Sequence, residues 1–281
     1  MAVRVAKGWG RTKPPPGTAI DWSHPLGHGL IGAWPFNDSG VGSSGGRIVD
    51  ATGLSVGAYT GTQAMSPGPF GNAPIYNGTS QLATLNSTVN RLRVGSTGTL
   101  SLWWRFNQSL SGINHFIFNA QISSTQSFGI LKYTDANFYV GWYDNAEFRA
   151  VVDYTTLGLV QGRWYHLAVS FRNGTATKFF IDANLKATAG GSQNVTTTIG
   201  STLVQVGYES IAGTPYYSAC QVDNIRIYDK DLSQAQIREI YTDPWAGYYP
   251  PRRKLISPTA AAPSAEVLLP GRVGYSRFVS R

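Results

Sequence analysis

Between Thr99 and Asn107 the chain alternates with a period of two. Leu100, Leu102, Trp104 and Phe106 fall on one side, and Ser101, Trp103 and Arg105 on the other. Successive side chains of a strand point to opposite faces, so this segment has one face to bury against a second layer. The pattern recurs from Trp164 to Arg172, is broken by Asn173-Gly174, and resumes from Thr175 to Asp182. Asn-Gly supplies the two positive φ angles of a type I′ turn, which predicts a hairpin. In it Leu167, Val169 and Phe171 share a face that Phe179 and Ile181 meet from the partner strand. Phe138–Tyr143 and Phe148–Val152 form a second pair around Asp144-Asn145-Ala146. The expected fold is all-β: an antiparallel two-sheet jelly-roll sandwich. Its 32 Gly, 15 Tyr, 12 Phe and 8 Trp supply turns and pleated-surface residues in the amounts such a fold uses.

One helix interrupts the pattern. Ser233 and Gln236 make a capping box, Ile237, Ile240 and Tyr241 form an apolar stripe, and Asp243-Pro244 stops the run. Before Leu26 and after Gly247 the strand pattern is lost. Pro14-Pro15-Pro16 favours an extended path, and Pro250-Pro251 opens an Ala/Pro-rich stretch. The expected organisation is an N-terminal arm over 1–25, a sandwich over 26–247 and a C-terminal arm over 248–281. The net charge of +8 lies in the arms. Arg4, Lys7, Arg11 and Lys13 face one acidic residue in the first arm. Arg252, Arg253, Lys254, Arg272, Arg277 and Arg281 face one in the last. Residues 26–247 balance, which argues against a basic nucleic-acid-binding face on the domain. These ten cations are candidates for docking onto an acidic partner, or else they solubilise two tails. The N-terminus has no apolar core of a secretion signal, and no apolar run is long enough for a membrane helix. Synthesis and folding in a cytoplasm are expected.

Five stretches, read in order, resemble the laminin-G-like jelly rolls of the concanavalin A-like lectin/glucanase fold. They are Gly29–Asn37 with the loop to Asp50-Ala-Thr-Gly53, Phe70–Gly78, Thr99–Phe106, Gly162–Phe171 with its Asp182 partner strand, and Val222–Ile237. The ending from Tyr241 to Lys254 is similar to that of such domains in tailed bacteriophage virion proteins. The resemblance implies a virion structural protein, present in many copies or as a homo-oligomer and docked on capsid or other virion proteins. It would display a lectin-like domain. A glycan-binding adhesin on a phage fibre or bacterial surface is the alternative.

Some relatives hydrolyse glycosides, which takes two carboxylates set across the scissile bond. The family motif Glu-x-Asp-x-x-Glu is absent: Glu147, Glu209, Glu239 and Glu266 stand alone, so no enzyme is expected. His24, His28, His115 and His166 are scattered, and Pro25 and Gly27 oppose a helix that would align the first two as ligands. Cys220, the single cysteine, excludes an internal disulfide and is expected as a small buried residue. The resemblance also implies a structural calcium ion on Asp223 of the last strand, with the loop at Asp50 contributing; hydrogen bonds from Asp223 to loop amides are the other reading. Trp103, Trp142 and Tyr143 either line the core or stack on sugars.

Overall fold

The computed structural model describes residues 10–37, 43–90, 97–123, 126–144, 146–172, 174–188, 203–211 and 214–250. They form two eight-stranded antiparallel sheets. The first contains β1 (Leu30–Trp34), β4 (Ala64–Gly68), β5 (Gly71–Asn77), β7 (Thr97–Phe106), β12 (Tyr165–Arg172), β13 (Lys178–Ile181), β14 (Asn184–Thr188) and β18 (Ala219–Tyr228). Its order is β14-β13-β12-β7-β18-β5-β4, with β1 also paired to β18. The second contains β2 (Arg47–Val49), β3 (Ser55–Thr60), β6 (Leu82–Asn90), β8 (His115–Ser123), β9 (Gln126–Lys132), β10 (Asn137–Asp144), β11 (Ala146–Asp153) and β15 (Val204–Val206). It runs β11-β10-β9-β8-β15-β6-β3-β2. A ribbon of β16 (Tyr208–Ile211) and β17 (Thr214–Tyr217) lies against β8 through the Tyr216–Phe116 ring contact. Neighbours far apart in the chain, such as β18 beside β7 and β5, give the jelly-roll connectivity expected from the sequence.

The alternation in β7 decides the core. Leu100, Leu102, Trp104 and Phe106 all turn inward and meet Phe118, Phe128, Phe138, Val140 and Trp142 of the second sheet. Burying each such side chain contributes roughly 1.5–3 kcal/mol. Trp104 and Phe138 add an edge-to-face contact at 5.9 Å. The Asn-Gly turn also forms: Thr175 donates its amide to the Arg172 carbonyl at 3.0 Å, and Gly174 takes φ +73°. Asn173 itself lies outside the described residues. The paired register is nevertheless one residue longer than a two-residue turn dictates. Ser170 faces Lys178, Val169 faces Phe179 and Leu167 faces Ile181. An unshifted ladder would have set Lys178 opposite Val169 and pointed its ammonium into the core. Burial of Phe179 and Ile181 overrides the turn because a one-residue slip reverses every side chain.

Helix α1 (Gln234–Thr242) starts at the expected capping box, with Ser233 accepting from the Gln236 amide. Ile237 and Ile240 press on the outer face of the first sheet, beside Trp103, Ala168, Phe180 and Tyr228. Trp103 is stacked under Tyr241 at 5.6 Å and met edge-on by Phe70 at 5.1 Å. One face of this sheet is thus the main core, and the other is a second, smaller core under the helix.

Strand β18 carries an irregularity on which both chain ends depend. Val222, Ile225 and Ile227 all point into the main core, a spacing that strict alternation forbids. A bulge between Asp223 and Arg226, with Asn224 at φ +45°, resets the register. Asp223 and Arg226 therefore both point outward, opposite Trp103 and Ser101. Arg226 is fully buried. Its guanidinium donates to the carbonyls of Pro244 and Ala246, its Nε to Asn224 Oδ1, and it lies 5.3 Å from the centre of the Tyr248 ring. Asn224 also donates to the Pro244 carbonyl at 3.0 Å. The turn after α1 is in this way fastened to the sheet by a cation that satisfies carbonyls rather than a carboxylate.

Charge-assisted bonds of this kind are about twice as strong as neutral ones. Arg226→Leu is expected to lower the unfolding free energy by about 3 kcal/mol or more, since the Ala246 carbonyl loses its donor, the Pro244 carbonyl keeps only Asn224, and charge-assisted bonds of about 1.5–3 kcal/mol each are lost. Arg226→Lys should recover only part, because an ammonium lacks the planar fork. Denaturant melts measure both, and an unchanged midpoint for Arg226→Leu would refute the assignment.

Candidate functional site

The sandwich does not begin at residue 26. Residues 10–25 lie on it: Pro14 is buried, Ile20 is 2% exposed, and Ile20 forms a β-bridge with Tyr248. Asp21 donates its amide to Gly247 at 2.8 Å, and Tyr249 donates to Ala19 at 3.1 Å, so the two ends of the domain are joined. Lys13 is the anchor. Its Nζ stands 2.8 Å from Asp223 Oδ1 and donates to the carbonyls of Asn72 at 2.6 Å and Phe36 at 3.1 Å. Three acceptors meet the three protons of one ammonium. Phe36 takes φ +50°, sparsely populated for a bulky residue, with its ring in the main core and its carbonyl on Lys13.

This corrects the expectation for Lys13, which is an internal counter-ion rather than an arm cation awaiting a partner. Arg11 is exposed. Arg4, Lys7, Arg252, Arg253, Lys254, Arg272, Arg277 and Arg281 lie outside the described residues. Of the two residues expected at a calcium ion, Asp223 meets the Lys13 ammonium. The oxygens of Asp223, Phe36 and Asn72 converge on an ammonium, whereas calcium takes six to eight oxygens. Asp50 does not join them. Its Oδ1 accepts from the amides of Ala33 at 2.8 Å and Thr52 at 2.9 Å. Its Oδ2 accepts from the Thr52 hydroxyl at 2.7 Å and from the amide and hydroxyl of Ser55 at 3.1 Å. Asp50 therefore organises its own loop. Among the described residues no three His, Cys, Asp or Glu side chains gather as a metal cluster.

The remaining candidates separate cleanly. Trp103 and Trp142 are 6% and 2% exposed and serve the two cores, so neither stacks on a sugar. The side chains of Tyr143 and Glu147, and all of Glu266, lie outside the described residues. Glu209 is buried, and Glu239 on α1 faces His24 Nε2 at 3.5 Å. His166 is buried between Trp103 and Tyr241 with its Nε2 2.8 Å from the Ser101 hydroxyl, and burial pushes its pKa down to about 3. His115 is likewise held down at about 4 by burial. Both are neutral packing residues. Burial pushes the Cys220 thiol up to about 12, which makes it unreactive.

The sequence pattern did not reveal a cavity of about 310 Å³ at the joined ends. Pro14, Pro15 and Ala19 wall one side, Pro35 and the Asp50–Gly53 loop the other, and Tyr248 closes it. Trp22 and Tyr249, which flank the Ile20–Tyr248 bridge in sequence, are half exposed, at 50% and 51%. They are the two exposed aromatic rings among the described residues.

The Lys13–Asp223 pair has a pH signature. Burial raises Asp223 from 3.8 to about 6, against the lowering effect of Lys13. Between these values the folded chain holds a proton that the unfolded chain has lost. Stability is therefore highest below pH 3.8 as far as this group is concerned, and falls by about 3 kcal/mol as pH rises through about 6. Above that the wild type should be flat. Lys13→Met removes the opposing charge and moves the Asp223 pKa further up, so its melting temperature should go on falling toward about pH 8. Superimposable melting profiles for the two proteins would mean that the ammonium does not hold the carboxylate.

The family model for the concanavalin A-like lectin/glucanases superfamily matches residues 77–238. No curated protein matches the chain. Among solved structures, domain 4 of AbnA, a GH43 extracellular arabinanase from Geobacillus stearothermophilus in complex with arabinotriose, is similar with a TM-score of 0.54 and 21% identity. That match covers 75% of this chain and 98% of the domain. Trypanosoma rangeli sialidase gives 0.53 and 16% identity, over 76% of this chain and 32% of the sialidase. The binding domain of botulinum neurotoxin serotype D gives 0.51 and 15%, over 76% of this chain and 50% of that one. The chain thus spans about a third of the sialidase and half of the neurotoxin chain, and at these identities the likeness is one of fold. Family match, two-sheet topology and helix placement agree: this chain belongs to the concanavalin A-like lectin/glucanase superfamily as a laminin-G-like jelly roll.

Proposed function

We propose that this chain is a non-catalytic, lectin-like domain that recognises carbohydrate and is displayed in many copies on a tailed bacteriophage particle. The observation that carries the carbohydrate reading is an open cavity closed by Tyr248, with exposed aromatic rings, Trp22 and Tyr249, on the two segments that the Ile20–Tyr248 bridge joins. Sugar recognition uses such elements, an apolar surface for ring C–H groups and a few fixed polar groups for hydroxyls. The arabinotriose-bound arabinanase domain and the sialidase support the same reading by analogy of fold. A hydrolytic role has little to work with, since a glycosidase sets its two carboxyl groups about 5–9.5 Å apart across a cleft. Glu209 is buried and Glu239 sits on the helix beside His24.

The virion reading rests on charge. With Lys13 engaged inside the domain, the cations left to grip an acidic partner are concentrated after Tyr249, from Arg252 to Arg281. Many weak electrostatic contacts on a multi-copy particle would add through effective concentration.

Two measurements separate these parts. The full chain on a glycan array is expected to bind a subset of glycans; silence across host and bacterial polysaccharides would sink the carbohydrate reading. Mass spectrometry of purified particles should find the protein at fixed stoichiometry, reduced about tenfold or more when residues 252–281 are deleted. Normal incorporation of the truncated chain would rule out the basic anchor.

A further inference from the structure

We propose that the cavity beneath the N-terminal segment is a subsite for a single neutral sugar ring. The inference rests on the carbohydrate reading above and assigns it a place and a ligand class. A volume of about 310 Å³ is at the low end for small-ligand sites, enough for one ring and not for an oligosaccharide chain. The cavity reaches solvent, since Pro15, Gly17 and Ala19 on its rim are exposed.

The lining excludes a charged ligand. No Lys or Arg is among the lining residues. The nearby Lys13 ammonium already has three acceptors, and both oxygens of Asp50 already take donors from its own loop. A carboxylate-bearing sugar would find no counter-ion, and a cationic one no free anion. What remains is apolar ring edge from Pro14, Pro15 and Pro35, with hydroxyl and amide groups from Thr18, Asn37 and Thr52. This mixture suits a molecule with C–H patches and uncharged hydroxyls.

One lining group lacks a partner. Tyr248 is 6% exposed, and its hydroxyl is buried without a hydrogen bond. Its ring is held by Arg226 on one side and edge-on by Trp245 at 5.8 Å, which fixes the hydroxyl in place. Burial raises its pKa, so it remains a neutral donor and acceptor. The hydroxyl itself is sealed from the cavity, so what Tyr248 offers a ligand is its ring.

The wall is preorganised. Lys13 fastens one end, Tyr249 pairs with Ala19 at the other, and Asn37 donates to the Pro14 carbonyl between them. Consecutive prolines stiffen the wall, and the Pro15 carbonyl is capped by the Thr18 hydroxyl at 2.7 Å. Every lining residue lies outside residues 77–238, the part matched by the family model.

Titration calorimetry of the full chain against galactose, N-acetylglucosamine, arabinose and N-acetylneuraminic acid tests the proposal, alongside the glycan array. At least one neutral sugar should bind and N-acetylneuraminic acid should not. Pro15→Ala, at an exposed lining position, should weaken binding several-fold by removing an apolar edge of the wall. Ala19→Trp, at an exposed rim position, should abolish it by filling the cavity, with the melting temperature of both variants near wild type. An array signal that both variants retain in full would overturn the subsite and leave the carbohydrate reading standing. No array signal at all would remove both. Tighter binding of N-acetylneuraminic acid than of any neutral sugar, or no binding by any monosaccharide, would overturn the assignment to a neutral ring.

Discussion

The bulge in β18 is the constraint on which the ends of this molecule depend. Without it, Asp223 and Arg226, three residues apart, would lie on opposite faces of the strand, and one would enter the main core. With it, both emerge on the outer face of the first sheet. Asp223 takes the N-terminal segment through Lys13, and Arg226 takes the turn after the helix through its carbonyls. The two segments so held then pair at Ile20 and Tyr248. One local rearrangement of backbone thus fastens the Lys13 segment and the turn after α1 to the same strand and to each other.

The energetics of the two grips differ. A buried carboxylate and ammonium each lose hydration, and their attraction offsets that loss only with good geometry. Asp223 shows the balance in its pKa, which stays above the usual carboxylate range although Lys13 is 2.8 Å away. Desolvation is the larger effect there. Among the described residues Arg226 pairs with no carboxylate; its charge is spread over a planar group and met by the backbone carbonyls of Pro244 and Ala246. A cation ringed by carbonyls holds its place through direction and number of hydrogen bonds more than through charge pairing. The ion pair therefore specifies where the N-terminal segment lies, and the arginine holds the turn that carries Tyr248.

Much of the fold was legible because its physics is local. The period of two in β7 and the capping box at Ser233 each name a structure within a few residues, and both formed. The hairpin shows where locality ends: its turn is as expected, yet its register moved by one because Phe179 and Ile181 had a core to fill. Trp103 shows the same limit. Alternation placed it on the outer face of β7, which suggested a ring open to ligands, but α1 covers that face from more than a hundred residues away.

The sequence by itself determined the two-sheet sandwich, the helix, the lack of the Glu-x-Asp-x-x-Glu motif and the excess of basic residues toward both termini. Those properties follow from side-chain period, capping chemistry and charge count, which need no knowledge of distant neighbours. Only the tertiary structure decided that Lys13 belongs to the domain, that Asp223 and Asp50 serve separate partners, and that a cavity forms where the ends meet. The joining of the ends depends on contacts between residues more than two hundred positions apart, Lys13 with Asp223 and Ile20 with Tyr248. Nothing in the local pattern of Arg11-Thr-Lys13-Pro-Pro-Pro distinguishes a solvated arm from a strap with a buried counter-ion.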